Sequence, residues 1–176
     1  MKITGGTLRG RVWPVTVGPG VRPTSSRVRE ALFSALGQDL SGWTVLDAFG
    51  GSGLLAAEAA SRGADSICVL EKNSRAAGRI GRAIDTFGLT IRLRRVDARR
   101  VVGKESFDLV LMDPPYAEDP TAWLERAESS ALQVMVIETG GERRLPERVG
   151  GMVLDKHRRY GDTQLGIYWR RSSPDE

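Results

Sequence analysis

Asp113-Pro114-Pro115-Tyr116 follows directly on the apolar run Phe107-Asp108-Leu109-Val110-Leu111-Met112, gathering a carboxylate, two constrained carbonyls and an aromatic ring at one strand end. These groups suit a flat exocyclic amine. Each proline lacks an N–H and holds φ near one value, which leaves the Pro114 carbonyl available as an acceptor. Of the two protons on a nucleobase NH2, one can go to the Asp113 carboxylate and the other to the Pro114 carbonyl. Tyr116 then offers a face on which the base can stack. The same four residues could instead simply end a strand, with Tyr116 packed under the loop.

A second constellation precedes it. Asp47-Ala48-Phe49-Gly50-Gly51-Ser52-Gly53 closes the strand-like run Thr44-Val45-Leu46 and opens a helix, where an open parallel sheet binds a nucleotide-like ligand. Gly50, Gly51 and Gly53 permit positive φ and close backbone approach, and Gly53 reaches the helix N-terminus, whose N–H groups favour an anion. Asp47 puts a negative charge at the turn, which suits a ligand carrying ammonium and sulfonium groups better than a pyrophosphate. Glu71 ends the next strand-like run, eighteen residues past Gly53, where a carboxylate can accept from ribose hydroxyls; a surface pair with Lys72 is the plainer alternative. Asp97-Ala98 follows a third run, where Asp97 could meet an adenine amino group or cap the next turn.

The elements that must position these groups are legible from periodicity. Lys2–Thr4 and Arg11–Val17, separated by Gly5-Gly6 and Gly10, predict a small hairpin. Thr24 or Ser25 is placed to cap a helix through Val28, Ala31, Leu32, Ala35 and Leu36. Strands are then expected at 44–46, 66–70, 91–96, 107–112 and 132–137. Helices are expected at 53–61, 75–87 and about 121–129, with a short helical turn after Asp97. The last strands, 152–154 and 164–169, are separated by the polar stretch from Lys156 to Asp162, read as an exposed loop that carries His157. Near-continuous apolar strands alternating with helices mean a mostly parallel sheet covered on both faces, and a short last connection means a reversed final strand. Gly140–Pro146 is too short and too Gly/Pro-marked for a full helix. The expected organisation is a hairpin-and-helix extension over 1–40, a main domain over 41–171 and a flexible tail over 172–176.

Composition narrows the class. A chain of 176 residues with 40% hydrophobic and 27% charged side chains fits a single soluble domain. With no apolar run near the ~20 residues of a membrane span and no signal-peptide core, a cytoplasmic location is expected. Cys68 and His157 are the sole residues of their types, so no disulfide framework and no His/Cys metal site is expected. Residues 1–30 carry six Lys or Arg against one Glu, residues 31–141 twelve basic against fifteen acidic, and residues 142–171 eight against four. Both ends are basic and the middle is not, which points to a phosphate-binding surface, although a solvated surface gives the same counts.

Taken together, Ile3-Thr4-Gly5-Gly6, Leu8-Arg9-Gly10-Arg11, Arg22-Pro23-Thr24, Arg27-Val28-Arg29-Glu30, Asp47 to Gly53 and Asp113 to Tyr116 resemble the bacterial 16S ribosomal RNA guanine-N2 methyltransferases of the RsmD type. The turn of that family more often reads Phe-Ala-Gly-Ser-Gly, where this chain has Phe49-Gly50-Gly51-Ser52-Gly53; the added glycine brings backbone freedom without blocking a ligand. The resemblance implies an α/β, Rossmann-like class I fold: a mostly parallel seven-stranded sheet of order 3-2-1-4-5-7-6 with one antiparallel strand. It implies S-adenosylmethionine as methyl donor and a guanine of small-subunit rRNA, in a subunit or its assembly intermediate, as acceptor for a monomeric enzyme. Asp113, Pro114 and Tyr116 are the catalytic set. Asp47, Phe49, Gly50, Gly51, Gly53, Glu71, Lys72, Asp97, Ala98 and Asp113 are assigned to the cofactor. Arg9, Arg11, Arg22, Arg27 and Arg29 are assigned to rRNA phosphates, with Lys156, Arg158 and Arg159 as a second region; for Arg22 and Arg29 the alternative is a structural pair with Glu30 or a helix-end contact.

Three other readings compete. A DNA adenine or cytosine amino-methyltransferase shares the tetrapeptide but would need a target-recognition region for which the chain has little room. A catalytically silent RNA-binding assembly factor would not need the tetrapeptide intact. A nicotinamide-dependent oxidoreductase would bind NAD rather than S-adenosylmethionine.

Overall fold

The computed structural model of the chain describes residues 1–16 and 24–171, so Val17 of the expected hairpin, Arg22 and the tail over 172–176 lie outside the described residues. The chain divides into two units, Met1–Ala98 and Arg99–Glu176.

In the first unit the leader is a pinched loop rather than a pair of strands. Lys2 and Val12 form one antiparallel bridge, supported by Ile3 N to Arg11 O (3.0 Å) and Trp13 N to Met1 O (2.7 Å). Helix α1 (Ser26–Leu36) starts where a cap was expected: the Ser25 side chain accepts from Val28 N, and Val28, Leu32, Phe33 and Leu36 face inward. There follow β1 (Thr44–Asp47), α2 (Leu54–Ser61), β2 (Ser66–Leu70), α3 (Ser74–Phe87) and β3 (Arg92–Arg94). The strands run parallel in the order β3-β2-β1, the first half of the expected sheet. Asn73 caps α3 by accepting from Arg75 N and Ala76 N, and Gly88 ends it in the left-handed region. Ile3, Trp13 and Val15 of the leader pack with Leu54, Ala57, Ile80 and Ile84 in one apolar cluster, so the leader belongs to the core of this unit.

What ties it down is a buried ion cluster. Glu58 on α2 is fully buried and accepts from Thr4 N (2.8 Å), Thr4 Oγ1 (2.9 Å) and Arg29 Nε (3.2 Å), and it forms a close ion pair with Arg62. Arg29 also donates to the carbonyls of Lys2 (2.8 Å) and Thr24. The glycines of Thr4-Gly5-Gly6 are there because the chain passes close against α2: a Cβ at Gly6 would overlap the Ser61 carbonyl, and one at Gly5 would run into the Arg62 guanidinium.

The second unit holds β4 (Phe107–Met112), α4 (Pro120–Ala127), β5 (Ala131–Gly140), β6 (Arg148–Val149), β7 (Met152–Tyr160) and β8 (Thr163–Arg170), in the strand order β4-β5-β8-β7-β6. A one-turn 3-10 helix over Ala98–Arg100 precedes β4, where a helical turn was expected. β4 and β5 are parallel; β8 is antiparallel to β5, β7 to β8 and β6 to β7. The expected 4-5-7-6 half is therefore present with one added edge strand, which makes eight strands among the described residues in place of the expected seven, two of them reversed in place of one.

The polar stretch from Lys156 to Asp162 is not a loop. Lys156 to Tyr160 continue β7, paired residue for residue with Ile167 to Thr163 of β8, and only Gly161 (φ 61°) and Asp162 make the turn. The charges misled because this end of β7 is largely exposed, so no apolar alternation marks it as a strand; the backbone ladder to the buried β8 holds it extended. His157 accordingly sits in a strand, its Nε2 2.7 Å from Gln164 Oε1. The 140–147 connection packs as an irregular segment: Leu145 is buried against Gly166, where a Cβ would collide with it, and the Pro146 carbonyl accepts from Tyr168 Oη (2.9 Å).

Candidate functional site

The first unit supplies a glycine turn held from two sides. Gly50 N donates to Leu70 O (2.7 Å) and Gly51 N to Glu71 Oε2 (3.0 Å), which lashes the turn to the end of β2. On its other side the Trp13 indole Nε1 donates to Ser52 O (2.7 Å). Gly51 and Gly53 have φ of 52° and 71°, where a β-carbon is strained, and a Cβ at Gly53 would press Ile80 at 2.9 Å. Around Gly51 a Cβ would meet only Phe49 O at 3.7 Å, so backbone here is open to a ligand.

Asp47, at the end of β1, is 2% exposed and receives backbone N–H groups of Phe49 and Ala56. Among the described residues it has no cationic partner. Burial first, and the nearby Glu71 carboxylate last, push its pKa up to about 7. Glu71 does not pair with Lys72; its two oxygens accept from Gly51 N and Asn73 N, each with acceptor capacity to spare. Lys72 instead lies 3.7 Å from Asp97 in an exposed pair. Phe49 is half-buried and Ala98 buried.

The raised Asp47 pKa has a definite sign for stability. Its native value near 7 lies above the unfolded value near 3.8, so between them the native state holds more protons, and stability falls as pH rises from about 4 through 7. Asp47→Asn is therefore expected to stabilise the ligand-free protein at pH 8, by about 1–2 kcal/mol once relaxation is set against the ~1.36 kcal/mol per pKa unit, with little change at pH 4. Urea unfolding at the two pH values measures this.

The second unit presents the tetrapeptide after β4. Asp113 is half-buried, Pro114 buried, and Tyr116 48% exposed. The Tyr116 ring lies on the backbone of Gly140, where any Cβ would stand 2.9 Å from it, and Arg143 Nη2 donates to Tyr116 O (3.1 Å). Downstream, Glu118 N donates to Pro115 O (2.8 Å), and Glu118 Oε2 accepts from both Trp123 Nε1 and Arg99 Nη2, each at 2.7 Å. Asp119 then caps α4 through Thr121 N, with Pro120 in the first turn. The segment is thus anchored on both flanks while its ring keeps an open face. Gly140, Arg143, Glu118 and Trp13 were missed in the sequence; only Gly140-Gly141, at the end of an apolar run, carried a local signal.

The arginines sort by burial. Arg9 is exposed on the turn of the leader, Arg11 is exposed with its guanidinium 4.3 Å above the Phe87 ring, and Arg27 is exposed on α1. Arg29 is the correction: it is 2% exposed, and its Nε, Nη1 and Nη2 donate to Glu58, Thr24 and Lys2, so the side chain is held inside the unit rather than presented to a phosphate in solvent. The structural alternative holds for it, with Glu58 rather than Glu30 as partner. Lys156, Arg158 and Arg159 lie on β7, Arg158 and Arg159 exposed, with Arg159 paired to Glu142 at 3.0 Å. Among the described residues no helix is long and apolar enough to cross a membrane.

A family model described as conserved hypothetical protein 95 matches residues 1–169. The chain is 31% identical to YlbH of Bacillus subtilis over 97% of its own length and 100% of that protein's. It is 29% identical to the ribosomal RNA small subunit methyltransferase D of Escherichia coli, over 98% of the chain and 91% of the relative. The solved structure of yhhF from Escherichia coli superposes with a TM-score of 0.85 at 26% identity, covering 98% of this chain and 99% of that one. A Pyrococcus horikoshii structure, 16% identical, superposes with a TM-score of 0.75 over 90% of this chain and 94% of its own, a likeness of fold alone. The fold is the Rossmann-like one of the class I methyltransferases.

Proposed function

This chain belongs to the conserved hypothetical protein 95 family, the RsmD family, and we propose that it moves a methyl group from S-adenosylmethionine to the exocyclic N2 amine of a guanine in 16S rRNA. The observation that carries the reading is the intact Asp113-Pro114-Pro115-Tyr116, anchored on both flanks with an open ring face, in a chain matched nearly end to end by a small-subunit rRNA methyltransferase. The substrate is the small subunit or its assembly intermediate, and the enzyme acts as a cytoplasmic monomer.

The residues fit the donor. Asp47 is a buried carboxylate without a cation among the described residues, Glu71 retains acceptor capacity for ribose hydroxyls, and backbone at Gly51 is open. Asp47, Phe49, Gly50, Gly51, Gly53, Glu71, Lys72, Asp97 and Ala98 would hold it. When bound, S-adenosylmethionine supplies a methyl already activated on a sulfonium. The protein's own task is then position and electrostatics.

Guanine N2 is a poor nucleophile because its lone pair is delocalised into the ring. Accepting its protons on the Asp113 carboxylate and the Pro114 carbonyl favours a pyramidal nitrogen, and Tyr116 fixes the base plane. Asp113 need not act as a strong base, since the proton can leave after methyl transfer. The target base must be unpaired or flipped out. Arg9, Arg11 and Arg27 hold rRNA phosphates, with Lys156, Arg158 and Arg159 as a second region and Arg22 as a further leader contact.

Tritiated methyl transfer to small subunits that lack the modification, followed by nucleoside mapping, tests the reading. Label in N2-methylguanosine is expected; label in adenine, in protein or nowhere would overturn it.

A further inference from the structure

The Trp13 side chain belongs to the leader, far in sequence from the glycine turn, yet its indole N–H donates at 2.7 Å to the carbonyl of Ser52 inside that turn. The ring is 1% exposed, so this bond is shielded from water and the Ser52 carbonyl has been given a fixed partner. From β2 the turn is held by Leu70 O and the Glu71 carboxylate; from the leader it is held by Trp13. With two positive-φ glycines in five residues it needs such external fixing, because glycine leaves the most backbone freedom to be lost. The contact continues outward: the Trp13 and Phe87 ring centroids are 5.1 Å apart, and the Arg11 guanidinium sits 4.3 Å above the same Phe87 ring.

We propose that Trp13 is a positioning residue for the cofactor, its indole N–H holding the Asp47–Gly53 turn in its binding shape. Through Phe87 and Arg11 the leader that meets RNA and the turn that meets S-adenosylmethionine are thus one packed unit. By linkage, whatever steadies the leader tightens cofactor binding, and bound cofactor steadies the leader to the same degree. The inference rests on the reading of this turn as the cofactor site.

Trp13→Phe keeps an aromatic ring against Phe87 and removes only the donor. Calorimetric titration with S-adenosylhomocysteine is expected to show a Kd raised about tenfold. In methyl transfer, KM for S-adenosylmethionine should rise in parallel, while kcat at saturating cofactor and KM for the small subunit stay within about twofold. A merely structural role would lower the active fraction and leave the Kd of the surviving protein unchanged, and that result would overturn the proposal. Absence of binding to the wild-type protein as well would instead overturn the cofactor assignment of the turn. Should Trp13→Phe not fold, hydrogen exchange of the Trp13 indole N–H in the wild-type protein decides: it should slow on adding S-adenosylhomocysteine, and an unchanged rate would sink the idea.

Discussion

Asp113→Ala is expected to lower kcat for methyl transfer by about 10²–10³-fold, the loss typical of removing one preorganised group from a site of developing charge. The amine would keep the Pro114 carbonyl as a partner for one proton and lose the partner for the other, so its lone pair would no longer be held toward the methyl group. Asp113→Asn retains an oxygen acceptor without the charge and should fall between the wild type and Asp113→Ala. Single-turnover rates with small subunits, set beside calorimetric Kd values for S-adenosylhomocysteine, separate the two roles assigned to this side chain. A drop in rate with Kd within about threefold places Asp113 on the amine. A Kd that rises as much as the rate falls would place it on the cofactor instead. Unchanged methyl incorporation would remove it from the mechanism.

Glu58→Ala has the largest expected effect on stability. The substitution leaves Arg29 and Arg62, 2% and 4% exposed, with buried charges and no counter-ion, and it strips Thr4 of its acceptor. Breaking a buried pair from one side costs about 3–5 kcal/mol, and here one carboxylate serves two guanidinium groups. Urea denaturation followed by far-UV circular dichroism should show the midpoint displaced accordingly. The exposed Arg159–Glu142 pair provides the contrast, since Glu142→Ala removes a salt bridge of similar length at a position where water screens it. Its unfolding curve should overlay the wild type. Equal effects at the two positions would mean that the Glu58 cluster is not the clasp of the leader.

Local chemistry made much of the fold readable. Ser25 acts as the expected cap because a short polar side chain reaches a free N–H group of the first turn, an interaction confined to a few residues. The runs at 66–70 and 107–112 are strands to the residue, being apolar stretches bounded by polar punctuation. The same logic failed at 156–160, where both faces of the strand tip are largely wet and the pairing partner, three to eleven residues away, leaves no trace in the residue types.

The glycine turn, the carboxylate at its head and the Asp113-Pro114-Pro115-Tyr116 motif were determined by the sequence itself, because each is a contiguous stretch whose chemistry depends on its own backbone. The fate of the arginines was decided only by the tertiary structure. By sequence Arg9, Arg11 and Arg29 are all assigned to phosphates, with a structural pairing open, of these three, for Arg29 alone; the approach of α2, with Glu58 fully buried, turned Arg29 inward while the other two stayed in water. Trp13 likewise became a partner of Ser52, and Gly140 a bed for the Tyr116 ring, through contacts made far along the chain. Charge and hydropathy describe what a side chain prefers, whereas burial and pairing depend on which distant residue the fold brings within hydrogen-bonding reach, and no local pattern encodes that.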